Sequence, residues 1–134
     1  MKPSSWLFGT SLALPIALLI GSGISHALQA GDPTHGKTIF AKCQACHSID
    51  AGVNKVGPSL HGIIGRASGV EANYSYSDAM KNANVHWTPE TLDKYLTNPH
   101  KMVPGTKMAF PGLPKEQDRA DVIAYLEQAA GKSQ

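Results

Sequence analysis

Two cysteines and a histidine stand within one five-residue stretch, Cys43-Gln44-Ala45-Cys46-His47. Thiols three residues apart at the end of a helix lie on one face, where both can form thioethers to the two vinyl groups of a single porphyrin. The next residue, His47, then falls beneath the ring with its imidazole available to the iron. This C-x-x-C-H pattern is the signature of covalently attached haem, haem c. The same thiols could instead close a simple disulfide or serve as a thiol-disulfide exchange centre. Two cysteines are too few for a four-thiolate zinc site or a multi-bridge scaffold. An iron bound by His47 has a second axial position, and thioether sulfur there would favour the ferrous state and raise the potential. Of the four methionines, Met1 lies in an N-terminal leader and Met80 in a short turn. Residue type alone leaves Met102 and Met108 as equal candidates, each of which could also be filling a gap in the core.

The elements that must position these groups read as helices and loops. Asp32 caps a helix that starts at Pro33 and runs to about residue 45, with Ile39, Phe40 and Cys43 on one face. From Ser48 to Tyr76 six glycine and proline residues break any sustained period, so this stretch is an ordered loop that needs something to pack on. Ser77 caps a short turn over Asp78 to Asn82. Thr88-Pro89 opens a better helix, with Trp87 and Leu92 as a hydrophobic staple, and Asn98-Pro99 ends it. A second loop spans Pro99 to Pro114. The last helix begins near Lys115, presents Val122, Tyr125, Leu126 and Ala129 on one face, and stops at Gly131. No strand signal or internal repeat is present, so the fold is all-α, with three main helices and short turns. The lack of strands around the motif also disfavours a thiol-disulfide exchange fold.

The chain has 134 residues, room for one core. Twelve Lys plus Arg against ten Asp plus Glu give a net charge of +2 with no long basic run, which argues against a nucleic-acid binder. Lys2, an apolar stretch from Trp6 to Ile24 and the small-residue pattern Ser25-His26-Ala27 form a signal peptide over residues 1–27, leaving a domain over 28–134. A second cut could follow Ala30, and an uncleaved, membrane-anchoring segment is the competing reading. Export to the periplasm follows from the first.

From about Gly31 to Ala130 the chain resembles the class I c-type cytochromes, of the cytochrome c and cytochrome c2 type. The resemblance rests on the attachment motif, on Val56-Gly57-Pro58-Ser59-Leu60-His61-Gly62, and on Asn98-Pro99 followed by Pro104-Gly105-Thr106-Lys107-Met108-Ala109-Phe110. It implies a small monohaem fold wrapped around one haem c held by two thioethers, with His47 and Met108 as the axial ligands. It further implies that the Pro58 carbonyl holds the Nδ1 hydrogen of His47, and that Arg66, Tyr76, Trp87 and Thr106 bond the haem propionates or water near them. Gly36, Phe40, Val122, Tyr125 and Leu126 resemble the family's contact between the first and last helices. Met80 stands where many members carry a polar residue, and His100 where many carry lysine. Among the other histidines, His61 is expected to hold its loop, and His35, His86 and His100 to be surface or loop residues.

The implied function is a monomeric one-electron shuttle between a redox protein donor and acceptor, membrane complexes docked at the exposed haem edge. With both axial sites filled, iron has no open position for a substrate, so an enzyme is not expected. Lys42, Lys55, Lys101, Lys107 and Lys115 would surround that edge, with Asp93, Asp118, Asp121 and Glu127 forming an opposite pole. Two other classes stand beside this one: a thiol-disulfide oxidoreductase using Cys43 and Cys46, and a ligand-binding haem protein with an open sixth site.

Overall fold

A computed structural model describes residues 30–131. The leader over 1–27 and its cut after Ala27 lie outside the described residues. Five helices follow in order: α1 Pro33–Gln44, α2 Asp78–Lys81, α3 Pro89–Thr97, α4 Pro99–Met102 and α5 Glu116–Ala129. Ala67 and His86 form an isolated bridge, Ile64 also has a bridge geometry, and the named elements among the described residues are all helices. None of the described helices is long and apolar enough to cross a membrane.

Local caps set the helix starts. The Asp32 carboxylate accepts from the Thr34 N–H at 2.8 Å, and Pro33 occupies the first helical position. At α3, Thr88 and Thr91 exchange side-chain and backbone bonds in a capping box, and the staple residues Trp87 and Leu92 are both buried. The stretch expected to be loop from Pro99 onward instead opens with α4. Asn98 has an extended backbone that stops α3, and its side chain then caps α4 by accepting from the Lys101 N–H at 3.0 Å. α5 starts without a side-chain cap. Its buried face is Val122, Ile123 and Leu126, while Tyr125 is partly buried and Ala129 is exposed; Ala130, one residue on, is fully buried. The expected place of Ala129 on the core face is thus corrected.

α1 and α5 cross at the closest approach in the fold. A β-carbon on Gly36 would overlap the Asp121 carbonyl and stand 2.9 Å from Tyr125 Cβ, so glycine is what permits the contact. Phe40 and Tyr125 pack with ring centroids 5.2 Å apart. Asp121 is buried at the crossing, accepting from the Asp32 N–H, from His35 Nδ1 and from Gln117 Nε2, each at 2.7 Å. Burial works against its charge, but these bonds and the nearby His35 outweigh it and hold the carboxyl below its ordinary value. One expectation is corrected here: Asp121 is buried and no part of an exposed acidic pole. His35 is exposed, as expected of a surface residue, and also ties α1 to α5 through its bond to Asp121. Asp93 is likewise engaged, bonded to Arg119 Nε at 2.6 Å, while Arg119 Nη1 donates to the carbonyls of Leu113 and Pro114.

Candidate haem site

Opposite the helix crossing, the two long loops and the inner faces of α1, α3 and α5 enclose a cavity of about 680 Å³. The residues that the resemblance implied for the haem site all reach it: Cys43, Cys46, His47, Pro58, Arg66, Tyr76, Trp87, Thr106 and Met108 line its wall. Met102 does not line it; at the end of α4 its side chain packs against the core. Met80 is buried and also lines the cavity.

The motif reaches the cavity because the chain keeps turning after α1 ends. Both the Cys46 and the His47 N–H groups donate to the Cys43 carbonyl, at 3.0 and 2.9 Å, which carries the second thiol and the imidazole around the helix terminus. The Gly57 N–H donates to the Cys46 carbonyl at 2.8 Å and brings the next segment under the ring. His47 Nδ1 then donates to the Pro58 carbonyl at 2.7 Å, leaving Nε2 as the nitrogen for a ligand bond. Gly57 has to be glycine: a β-carbon there would run into the imidazole, 2.7 Å from Nδ1 and closer still to Cε1. Burial, with smaller contributions from Lys55 and Arg66 and against the Pro58 bond, lowers the His47 pKa and keeps the ring in the neutral form that can donate a lone pair.

Across the cavity, Met108 is held by its N–H bonding Thr106 Oγ1 at 3.3 Å, and the Tyr95 hydroxyl points at its sulfur at 3.9 Å. Tyr95 is also 3.4 Å from Thr106 Oγ1 and packs against Trp87 with centroids 5.0 Å apart. Sequence reading missed Tyr95. Its place three residues after Leu92 marks it as a core position, and only the tertiary arrangement aims its hydroxyl at the thioether. Trp87 is fixed by its N–H to the Arg66 carbonyl at 2.9 Å, and the Gly65 N–H returns to the Trp87 carbonyl at 2.7 Å, so the two wall residues are registered against each other. His61 does hold its loop, with Nδ1 3.3 Å from the Ile49 carbonyl.

Burial pushes the Cys43 thiol up to about 11, a poor setting for the thiolate that disulfide exchange requires. Among the described residues no group of three or more His, Cys, Asp or Glu is placed to hold a metal ion. An apolar cavity with two thiols, one neutral imidazole and one thioether in its wall has the shape and donor set for a covalently attached haem.

Residues 33–130 match the family model described as cytochrome c. The chain belongs to the cytochrome c family. It is 53% identical over 104 residues to a cytochrome c of Ginkgo biloba, covering 76% of this chain and 92% of the relative. It is 54% identical over 98 residues to a cytochrome c2 of Rhodopila globiformis, covering 72% and 92%. The fold is similar to that of cytochrome cH from Methylobacterium extorquens, with a TM-score of 0.69 and 42% identity over 72% of this chain and 98% of that one. This cytochrome c is accordingly a one-electron haem carrier rather than an enzyme, and the thiol-disulfide and ligand-binding readings give way to that function.

Proposed function

We propose that this cytochrome c holds one haem through thioethers of Cys43 and Cys46, with His47 and Met108 as axial ligands, and passes single electrons between redox proteins in the periplasm. The observation that carries this reading is the convergence of both thiols, the His47 imidazole and the Met108 thioether on one cavity. A haem bound there supplies an iron that accepts and releases one electron. The protein does the rest. Pro58 fixes the orientation of the imidazole and Tyr95 bonds the thioether sulfur, while Leu92, Trp87 and Leu126 in the walls exclude water from both. A soft sulfur ligand in a dry site favours the reduced state and so a high potential.

Lys42 and Lys107 lie at the cavity wall and are exposed, which suits an acidic partner approaching the haem edge. Lys107 is also tied to the Ser75 carbonyl at 2.8 Å. Lys55, Lys101 and Lys115 are exposed but lie outside the cavity wall. With Asp121 and Asp93 engaged internally, Asp118 and Glu127 remain as the acidic pole on α5. The proposed partners are a donor and an acceptor, each a membrane complex, meeting a monomer released by cleavage after Ala27.

Two variants test the ligand assignment. Met108→Ala is expected to lose the sulfur-to-iron charge-transfer band, lower the midpoint potential and open the ferrous protein to carbon monoxide. Met102→Ala should keep all three properties. Loss of the band in Met102→Ala alone would overturn the assignment.

A further inference from the structure

Arg66 reaches the cavity wall as one half of an ion pair. Its Nη1 bonds the Glu71 carboxylate and also donates to the His61 carbonyl at 3.0 Å, while Nη2 donates to the Ser59 carbonyl at 2.8 Å. The two side chains are only 11% and 14% exposed, so solvent and salt screen the pair far less than a surface bridge. Glu71 does not itself line the cavity, yet it touches the wall a second time, its backbone N–H donating to the Tyr76 hydroxyl at 3.3 Å. The clasped carbonyls belong to the loop that begins at Pro58, the partner of His47. Within that loop Ser59 is fully buried, its hydroxyl donating to the Asp50 carbonyl at 2.6 Å and its N–H to Asn54 Oδ1 at 2.9 Å.

We propose that Glu71 is a positioning residue of the electron-carrying site: it cancels the charge of Arg66 in the cavity wall and thereby sets the reduction potential lower than an uncompensated guanidinium would. This rests on the reading of the cavity as the haem site. Reduction adds one electron and makes the site more negative by one charge, so each unpaired positive charge beside it favours reduction and each negative charge opposes it. The pair carries no net charge and so adds little to the field at the site. Removing the carboxylate alone exposes the full charge of Arg66 to the cavity; removing both partners restores neutrality.

The test is a spectroelectrochemical titration of the purified holoprotein, wild type against Glu71→Gln, Glu71→Asp and the double variant Glu71→Gln with Arg66→Gln. Glu71→Gln, which preserves shape, is expected to shift the midpoint potential upward. Glu71→Asp should stay near wild type because it retains the charge, and the double variant should fall back from the Glu71→Gln value toward wild type. Thermal unfolding of each holoprotein is followed alongside. An unchanged potential in Glu71→Gln, even with reduced stability, would overturn the proposal and leave Glu71 a purely structural residue. A Glu71→Asp shift as large as that of Glu71→Gln would do the same. A wild-type protein without a covalently retained haem spectrum would instead overturn the site reading on which the proposal stands.

Discussion

Where α1 crosses α5, Gly36 lies so close to the Asp121 carbonyl that no side chain could be added, and Asp121 itself is bonded on three sides. Elsewhere, Leu92, Trp87, Tyr95 and Leu126 line a cavity of about 680 Å³. The first region is complete with protein atoms alone. The second gathers buried apolar side chains that pack on one another and also line the cavity, in a chain short enough for its core to be marginal. A group bound only by the folded chain stabilises it by mass action, and here it would also add to that core. The comparison divides the molecule into a scaffold that positions the attachment motif and a wall whose order depends on what the motif holds.

The most severe way to break that division is to remove the attachment. Cys43→Ala with Cys46→Ala should abolish covalent haem retention after denaturation and leave a chain without a cooperative thermal transition by far-ultraviolet circular dichroism. A helix-rich variant that unfolds cooperatively without haem would show that the wall stands unaided. The scaffold side is probed by Gly36→Val, which forces the helices apart at their tightest point. The expected cost is about 3 kcal/mol in urea unfolding of the holoprotein, from overpacking against backbone that cannot yield. The absorption spectrum should survive, since Gly36 lies outside the cavity wall.

A smaller effect separates the two regions by pH. The Asp121 carboxyl is held below its ordinary value of 3.8, so it contributes stability that is fully present above that value and is lost as pH falls through the folded one. Asp121→Asn should cost about 2 kcal/mol at neutral pH through the weakened hydrogen bonds from His35, Gln117 and the Asp32 N–H. That difference should shrink as pH drops below 3.8, as followed by urea titrations between neutral and acid pH. A gap that stays constant into acid would show that Asp121 contributes by packing rather than by charge.

What could be read from sequence was local. Asp32-Pro33 and Thr88-Pro89 announced their helices because a cap and a first-position proline act within one turn. The same logic misled at Asn98-Pro99, where one dipeptide both stops α3 and starts α4. Partners far apart in the chain left no local trace. His35 and Asp121 meet across 86 residues, and Arg119 finds Asp93 across 26. In the site, the spacing of Cys43, Cys46 and His47 carried its chemistry openly. The choice between Met102 and Met108 did not follow from spacing, since nothing within a few residues of either records which side of the chain faces the cavity. The Tyr95 hydroxyl escaped for the same reason, its partner being delivered by another segment. The Glu71 carboxylate escaped because an irregular loop has no period that would show Arg66, five residues back, folding onto it.

The imidazole of His47 is gripped on two sides, by the Pro58 carbonyl at Nδ1 and by the backbone of Gly57 against its edge. A ring so confined has neither a second orientation nor a second tautomer to visit when the charge beside it changes. In the proposed assignment the ligand therefore keeps its geometry as an electron arrives or leaves, and little nuclear rearrangement separates the two oxidation states. A carrier gains from this in speed rather than in driving force. The missing side chain at Gly57 is thus a kinetic feature: it lets the backbone close on the ring and hold it still during transfer.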